Sequence, residues 1–132
     1  MIKNPDGVIY GHKTAAWEQS KKEAIRAILE KARSGGDPTI SYLDLTRRIG
    51  SIPFDPDGHD FHYLLYEISR EEDEACRGLL SALVVRRDDR HPGDGFWDVA
   101  KERGRDVTDK ERCWVDEVKE VLKHCDSHPL AA

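Results

Sequence analysis

The chain has 132 residues, a net charge of −5, and 36% charged against 38% hydrophobic side chains. A chain of this length usually folds around one core, so we expect a single domain over residues 1–132. No apolar run approaches the roughly 18–20 residues of a membrane span, and the first residues lack the apolar centre of a signal peptide. The three cysteines form no CxxC pair, which argues against a secreted disulfide framework. Together these features predict a cytoplasmic protein without membrane contacts.

The first third of the chain is predicted to contain one long helix behind a short extended segment. Residues 5–7 have the composition of a turn, and the apolar triplet at residues 8–10 is typical of a short edge strand. Apolar residues then recur at helical spacing from about Thr14 to Arg33, and the paired glycines at residues 35–36 follow them. We therefore predict an amphipathic helix over that range.

The middle of the chain is predicted to hold two further helices. Ser41 followed by Asp44 has the spacing of a capping box, and Gly50 marks the end of the helix that this box begins. A third helix is predicted from about Asp60 to Cys76, because four apolar residues there share one helical face. These residues are Phe61, Leu64, Leu65 and Ile68.

The apolar run LLSALVV at residues 79–85 is predicted to be a buried strand, because it is short and contains two adjacent β-branched residues. A charged loop follows at residues 86–95. Beyond the loop, Phe96, Trp97 and Val99 have two possible structures. They form either a second strand that pairs back on residues 79–85 or the start of a short helix.

The C-terminal segment is predicted to be a helix with a frayed end. Thr108 and Glu111 have capping-box spacing, and residues from Ser127 onward are expected to fray. The apolar side of this helix is predicted to comprise Trp114, Val118, Val121, Leu122 and Cys125. Phe96, Trp97 and Trp114 are expected to pack in the core beside it.

The order of helix, short strand, helix, turn, helix and hairpin is that of a winged-helix domain. The strings ISYLDLTRRIG, LLSALVV and HPGDGF resemble the winged-helix domain of the alkyltransferase-like group, and a related version in bacterial restriction and defence proteins, over about residues 38–97. This resemblance implies an α+β fold: a winged-helix-like helical domain with a small β-hairpin and flanking N- and C-terminal helices. Alkyltransferases carry a reactive Pro-Cys-His-Arg string before the strand. This chain has Leu-Leu-Ser-Ala at residues 79–82, so we expect no alkyl transfer.

The charge is concentrated in the middle of the chain, where residues 55–75 hold eight acidic and one basic side chain. In a winged helix this segment would face a duplex, and its carboxylates would repel phosphate and attract basic partners. The expected function is therefore that of a non-enzymatic bacterial or phage macromolecule-binding module, an accessory, immunity or defence-associated protein that binds a basic protein. The residues predicted to contact that partner are Asp57, Asp60, Glu71, Glu72, Asp73 and Glu74.

Direct DNA binding is the alternative prediction, because arginines concentrate at the end of the second helix and in the loop of the predicted hairpin. Such a basic ridge could contact the phosphate backbone, unless the acidic residues of the same loop neutralise it. These acidic residues are Asp88, Asp89 and Asp94. The arginines predicted to contact phosphates are Arg47, Arg48, Arg86, Arg87 and Arg90.

Two segments are rich in metal-capable side chains: residues 55–62, and the cluster of His124, Cys125 and His128. The first segment is not an EF-hand loop, because position 12 of that loop would be Tyr66, and neither segment has the spacing of a zinc site. The sequence also lacks GxSxG, HExxH and phosphate-binding-loop motifs. We therefore predict no enzyme, no catalytic residue, no metal site and no cofactor.

Overall fold

The computed structural model describes residues 8–131. Within them it contains five α-helices and four two-residue strands, a mixed α+β composition with 56% helix and 6% strand. The helices are α1 (Thr14–Arg33), α2 (Tyr42–Arg48), α3 (His59–Glu74), α4 (Asp94–Glu102) and α5 (Lys110–Leu122), and a 3-10 helix covers Leu80–Leu83. The strands are β1 (Val8–Ile9), β2 (His12–Lys13), β3 (Ile40–Ser41) and β4 (Val84–Val85). The turn predicted at residues 5–7 lies outside the described residues.

The predicted first helix is confirmed with its bounds, since α1 begins at Thr14 and ends at Arg33. Its inner face is buried: the side chains of Trp17 and Ile28 on this face are wholly inaccessible to solvent. An antiparallel hairpin of β1 and β2 precedes it, and Tyr10 with Gly11 forms the tip. The predicted edge strand is thus confirmed for its first two residues.

The second and third helices are also confirmed. The Oγ of Ser41 accepts a hydrogen bond from the backbone N–H of Asp44 at 3.1 Å, so Ser41 is the N-cap of α2. Helix α3 ends two residues before the predicted Cys76, which adopts a positive φ of 63°. The four apolar residues predicted to form the inner face of α3 are all buried.

The prediction of a seven-residue strand at residues 79–85 was wrong in most of its length. Residues 80–83 form the 3-10 helix, and only the two valines of β4 are extended. All seven residues are buried, and complete burial removes the alternation that distinguishes a strand from a helical turn. The predicted hairpin is likewise corrected, because Phe96, Trp97 and Val99 lie in α4, as the alternative prediction had it. Strand β4 pairs instead in parallel with β3, with Ile40 opposite Val84.

The C-terminal segment differs from its prediction at both ends. The N-cap of α5 is Asp109 rather than Thr108, since an oxygen of Asp109 accepts the N–H of Arg112 at 3.1 Å. The chain end does not fray at Ser127, because the following His128 is buried with its Nε2 2.6 Å from a carboxylate oxygen of Glu72. A buried carboxylate needs such a partner, and the tail supplies it.

The core consists of two neighbouring clusters. The larger one joins α1, α3 and the β3–β4 pair around Trp17 and Phe61. The smaller one joins the 3-10 helix, α4 and α5 around Phe96 and Val99. Trp97 and Trp114 are half-buried at the edge of this second cluster. Within residues 8–131, no helix is both long and apolar enough to cross a membrane.

Candidate functional site

The acidic residues at the C-terminal end of α3 do not form one continuous exposed surface. Glu72 is buried, and in addition to His128 it accepts two hydrogen bonds from Arg77, at 3.1 and 2.9 Å. Asp73 accepts hydrogen bonds from Arg103 at 2.9 Å and from Arg105 at 2.7 Å. Of the residues predicted to form the partner-binding face, Glu72 and Asp73 thus have carboxylates that are engaged within the chain.

Arg105 extends these contacts to the last helix. Its Nε and Nη2 donate to the two carboxylate oxygens of Glu117, each at 3.0 Å, while Glu117 also accepts the backbone N–H of Leu79 at 2.8 Å. Hydrogen bonds from Arg105, then from Arg103, lower the pKa of Asp73 despite its partial burial. We call Glu72, Asp73, Glu117 and their cationic partners the buried ion network; it joins the end of α3 to α5 and the C-terminal tail.

The other four residues of the predicted acidic face are divided between two places. Asp60 is bonded to His12 at 2.9 Å beside the exposed Asp57, close to the start of α3. Glu71 and Glu74 are exposed near the end of the same helix, roughly 20 Å away at 1.5 Å per residue. The acidic segment thus contributes two small acidic sites instead of one.

Unlike the acidic residues, three of the five predicted arginines lie together: Arg47, Arg48 and Arg90 line one groove of about 490 Å³. The groove is formed by the end of α1, β3, α2 and the loop after β4. We call it the basic groove. Its lining comprises Lys31, Thr39, Ile40, Ser41, Asp44, Arg47, Arg48 and Arg90.

Arg90 is fixed in the groove by neighbours from the segment before β3. Its Nη2 donates to Asp37 at 2.8 Å and to the hydroxyl oxygen of Thr39 at 2.8 Å. Asp37 in turn accepts the N–H and O–H of Thr39 at 2.9 and 2.6 Å. Partial burial opposes ionisation of Asp37, but the bonds from Thr39 and Arg90 outweigh it and lower its pKa to about 2. Asp37 is therefore a carboxylate under all physiological conditions and holds the guanidinium in place.

The other cations of the groove are less constrained. Arg48 contacts Glu30 at 2.7 Å, and Lys31 donates to the backbone carbonyl of Asp37. Arg47 is exposed and, within the part of the chain that the structure describes, makes no ion pair. The groove and its immediate neighbours hold four cations and three carboxylates, which leaves a surplus of one positive charge. The cations are Lys31, Arg47, Arg48 and Arg90, and the carboxylates are Glu30, Asp37 and Asp44.

The two remaining arginines lie outside the groove lining. Arg86 pairs with Asp89 at 2.9 Å, as expected if the loop neutralises itself. Arg87 is exposed on the same loop. The loop folds back on itself through the backbone bond from Arg86 N–H to the carbonyl of His91 at 2.9 Å. The predicted basic ridge is therefore split between the groove and this separate turn.

The metal-capable side chains make ordinary protein contacts. His62 lies 2.9 Å from the backbone carbonyl of Pro56, and His124 lies 3.2 Å from Glu120. The thiol of Cys125 contacts the carbonyl of Val121 at 3.5 Å. Across residues 8–131, no group of three or more His, Cys, Asp or Glu side chains is arranged to hold a metal ion.

Two features of the surface were missed from the sequence. One is Lys31, whose position at the end of α1 gave no sign that it would face α2. The other is a row of tyrosines on the outside of α3, although Tyr63, Tyr66 and Arg70 recur at the helical spacing that could have revealed a shared face.

No protein-family model, curated protein or solved structure matches this chain. The geometry of its own residues is therefore the basis for any functional assignment.

Proposed function

We propose that this protein is a non-enzymatic module that binds the phosphate backbone of a nucleic acid through the basic groove. The observation that carries the proposal is the convergence of Arg47, Arg48 and Arg90 with Lys31 on one concave surface. Guanidinium groups suit this task because their planar array of donors matches phosphate oxygens. A basic protein bound on one continuous acidic face is favoured less as the main function, because Glu72 and Asp73 are engaged in the buried ion network.

The arginines of the groove retain donors for a ligand. Arg90 uses Nη2 for its bonds to Asp37 and Thr39, and a guanidinium carries five N–H donors in all. Arg47 and Lys31 are the cations of the groove for which the described part of the chain shows no ion pair. We therefore expect Arg90 to act as a fixed donor and Arg47 as the mobile cation that attracts the phosphate.

Binding of this kind should be weak, sequence-independent and sensitive to salt. Phosphate contacts release counterions, with a slope of about −0.9 in log K against log salt for each phosphate neutralised. A groove of this size has room for few phosphates, and the net charge of −5 opposes binding elsewhere on the surface. Following the resemblance to restriction-associated winged-helix proteins, we propose that the protein works in the cytoplasm of a bacterium or a phage-infected cell, in a defence system.

Fluorescence anisotropy with a labelled DNA duplex over a series of salt concentrations tests the proposal. The double variant R47A/R48A should weaken binding roughly tenfold and reduce the salt slope by about two. The matched control is R112A/K123A, which removes the same charge from exposed positions of the C-terminal region. A wild-type protein that binds no duplex, or two double variants that weaken binding equally, would contradict the proposal.

A further inference from the structure

A row of three tyrosines lies on the outside of α3, next to the N-terminal hairpin. The ring centroids of Tyr10 and Tyr63 are 5.7 Å apart, and those of Tyr63 and Tyr66 are 5.6 Å apart. Tyr10 is 43% exposed, and the other two are half-buried. The chain thus presents a strip of aromatic surface to solvent.

Tyr10 is held there by an unusual backbone. It forms the tip of the β1–β2 hairpin with Gly11, and both residues have positive φ, 50° and 81°. Such turns normally use Asn, Asp or Gly, because other side chains are strained in this region. A tyrosine at this position is locally unfavourable, and its ring lies against Tyr63 and over the buried Trp17, with ring centroids 6.3 Å apart. These contacts hold the strained hairpin tip in place and leave the outer part of the Tyr10 ring exposed beside Tyr63.

Carboxylates border this strip of tyrosines on the side that faces α1. The ammonium of Lys21 is 2.8 Å from Glu67, 2.8 Å from Glu71 and 3.4 Å from Glu18, so three carboxylates share one cation. Glu67 is buried and also bonded to Trp17 at 3.1 Å, whereas Glu71 is half-exposed. Glu71 and Glu18, which are 48% and 43% exposed, are therefore the carboxylates of this group that a visiting molecule can reach.

Further carboxylates lie along the other side. The hydroxyl of Tyr66 donates to Glu102 at 2.9 Å, and Arg70 lies over the ring of Tyr66 while it contacts Glu74 at 3.8 Å. With the three carboxylates on Lys21, five carboxylates accompany two cations, Lys21 and Arg70, around the strip. The surplus of three negative charges distinguishes this surface from the basic groove, which is formed by other elements. We call it the tyrosine face, comprising Tyr10, Tyr63, Tyr66, Glu71, Glu74 and Glu102.

We propose that the tyrosine face docks a lysine- and arginine-rich segment of a partner protein. Charge complementarity favours this occupant, since exposed carboxylates attract cations and the faces of aromatic rings bind them. Tyrosine is also enriched among residues that dominate binding energy at protein interfaces. The same surplus charge repels nucleic acid. The site is independent of the basic groove, so the protein can contact a nucleic acid and a basic protein at the same time.

Anisotropy titration of the full chain with a fluorescein-labelled peptide of mixed lysine and arginine tests this docking site. The double variant E71Q/E74Q keeps the side-chain shapes and should weaken binding about fivefold, because close charge pairs at interfaces contribute to affinity. The control D116N/D126N removes two carboxylates elsewhere that are more exposed than Glu71 and Glu74, and it should change affinity less than about twofold. Tyr66→Ala should also weaken binding, whereas Tyr66→Phe should restore it by keeping the ring.

The groove variant R47A/R48A distinguishes peptide binding at the tyrosine face from duplex binding at the basic groove. R47A/R48A should leave peptide affinity unchanged while it weakens duplex binding, so the failure of one site would not imply failure of the other. Equal weakening by E71Q/E74Q and by the control pair would overturn the docking site, since it would mean that the peptide senses only net charge. Tighter duplex binding by E71Q/E74Q with no effect on the peptide would overturn it as well, because the face would then border a nucleic-acid site.

Discussion

The basic groove and the buried ion network both bring together charged residues from distant parts of the chain, yet their surroundings are opposite. In the network the side chains of Glu72 and Glu117 are 5% and 6% exposed. In the groove those of Arg48 and Arg90 are 43% and 42% exposed. The difference in burial, rather than in charge, separates groups that hold the fold from groups that can hold a ligand.

The physical reason is the cost of desolvation. A charge taken out of water must be paired, and removing its partner leaves an uncompensated ion at a cost of about 3–5 kcal/mol. An exposed pair contributes only about 0–1 kcal/mol, because water solvates both groups when they separate. Substitutions in the two regions should therefore affect different measurements.

The largest effect on stability is expected for Arg105→Ala. It leaves Asp73 and Glu117 close to each other without their shared cation, and should lower the free energy of unfolding by about 3 kcal/mol. Urea denaturation measures this change. Arg47→Ala is the control and should stay within about 0.5 kcal/mol of wild type. Equal stability of the two variants would remove the distinction between the regions.

The next effect concerns the C-terminal tail. His128→Ala removes the bond to Glu72 and the acceptor for the N–H of Leu130, which lies 3.0 Å from the other ring nitrogen. A hydrogen bond to a charged group contributes about 1.5–3 kcal/mol, so thermal stability should fall, and the amide of Leu130 should exchange faster. Unchanged exchange at Leu130 would indicate that the tail frays as the sequence suggested.

A smaller effect, on binding instead of folding, is expected for Arg90→Lys. Lysine keeps the charge but cannot reproduce the planar array of donors that bonds Asp37 and Thr39. Duplex affinity should fall by about 1 kcal/mol, or about fivefold, with the stability near that of wild type. If Arg90→Lys bound the duplex with wild-type affinity, the groove would need only a positive charge at this position and not the planar donors of a guanidinium.

The smallest effect is a dependence on pH. Because the pKa of Asp37 falls to about 2 in the folded protein, its carboxylate contributes stability above its ordinary pKa of 3.8. That contribution is lost as the pH falls from about 4 towards 2. The side chain is 54% exposed, so solvent screening keeps the contribution below about 1 kcal/mol. The difference in the free energy of unfolding between wild type and Asp37→Asn should be constant near pH 5 and should shrink only within this window. A difference that stays constant down to pH 2 would contradict the role assigned to Asp37.

The sequence by itself determined the elements whose signals are local. The bounds of α1, the cap of α2 at Ser41 and the inner face of α3 depend on residues within about four positions of one another. Such interactions depend little on tertiary context, although the capping-box spacing of Thr108 and Glu111 placed the cap of α5 one residue too early. The run at residues 79–85 carried no local signal of this kind, because all of it is apolar or small.

Only the tertiary structure decided which charges are buried and which meet. Glu72 and His128 are 56 positions apart, and Arg90 and Thr39 are 51 positions apart. The acidic segment therefore looked like one exposed face in the sequence, although packing against α5 and the tail buries part of it. The arginines looked scattered, although the parallel pairing of β3 with β4 brings the loop after β4 next to α2. Burial is a property of the whole packed chain, and it sets the energetic role of each charge.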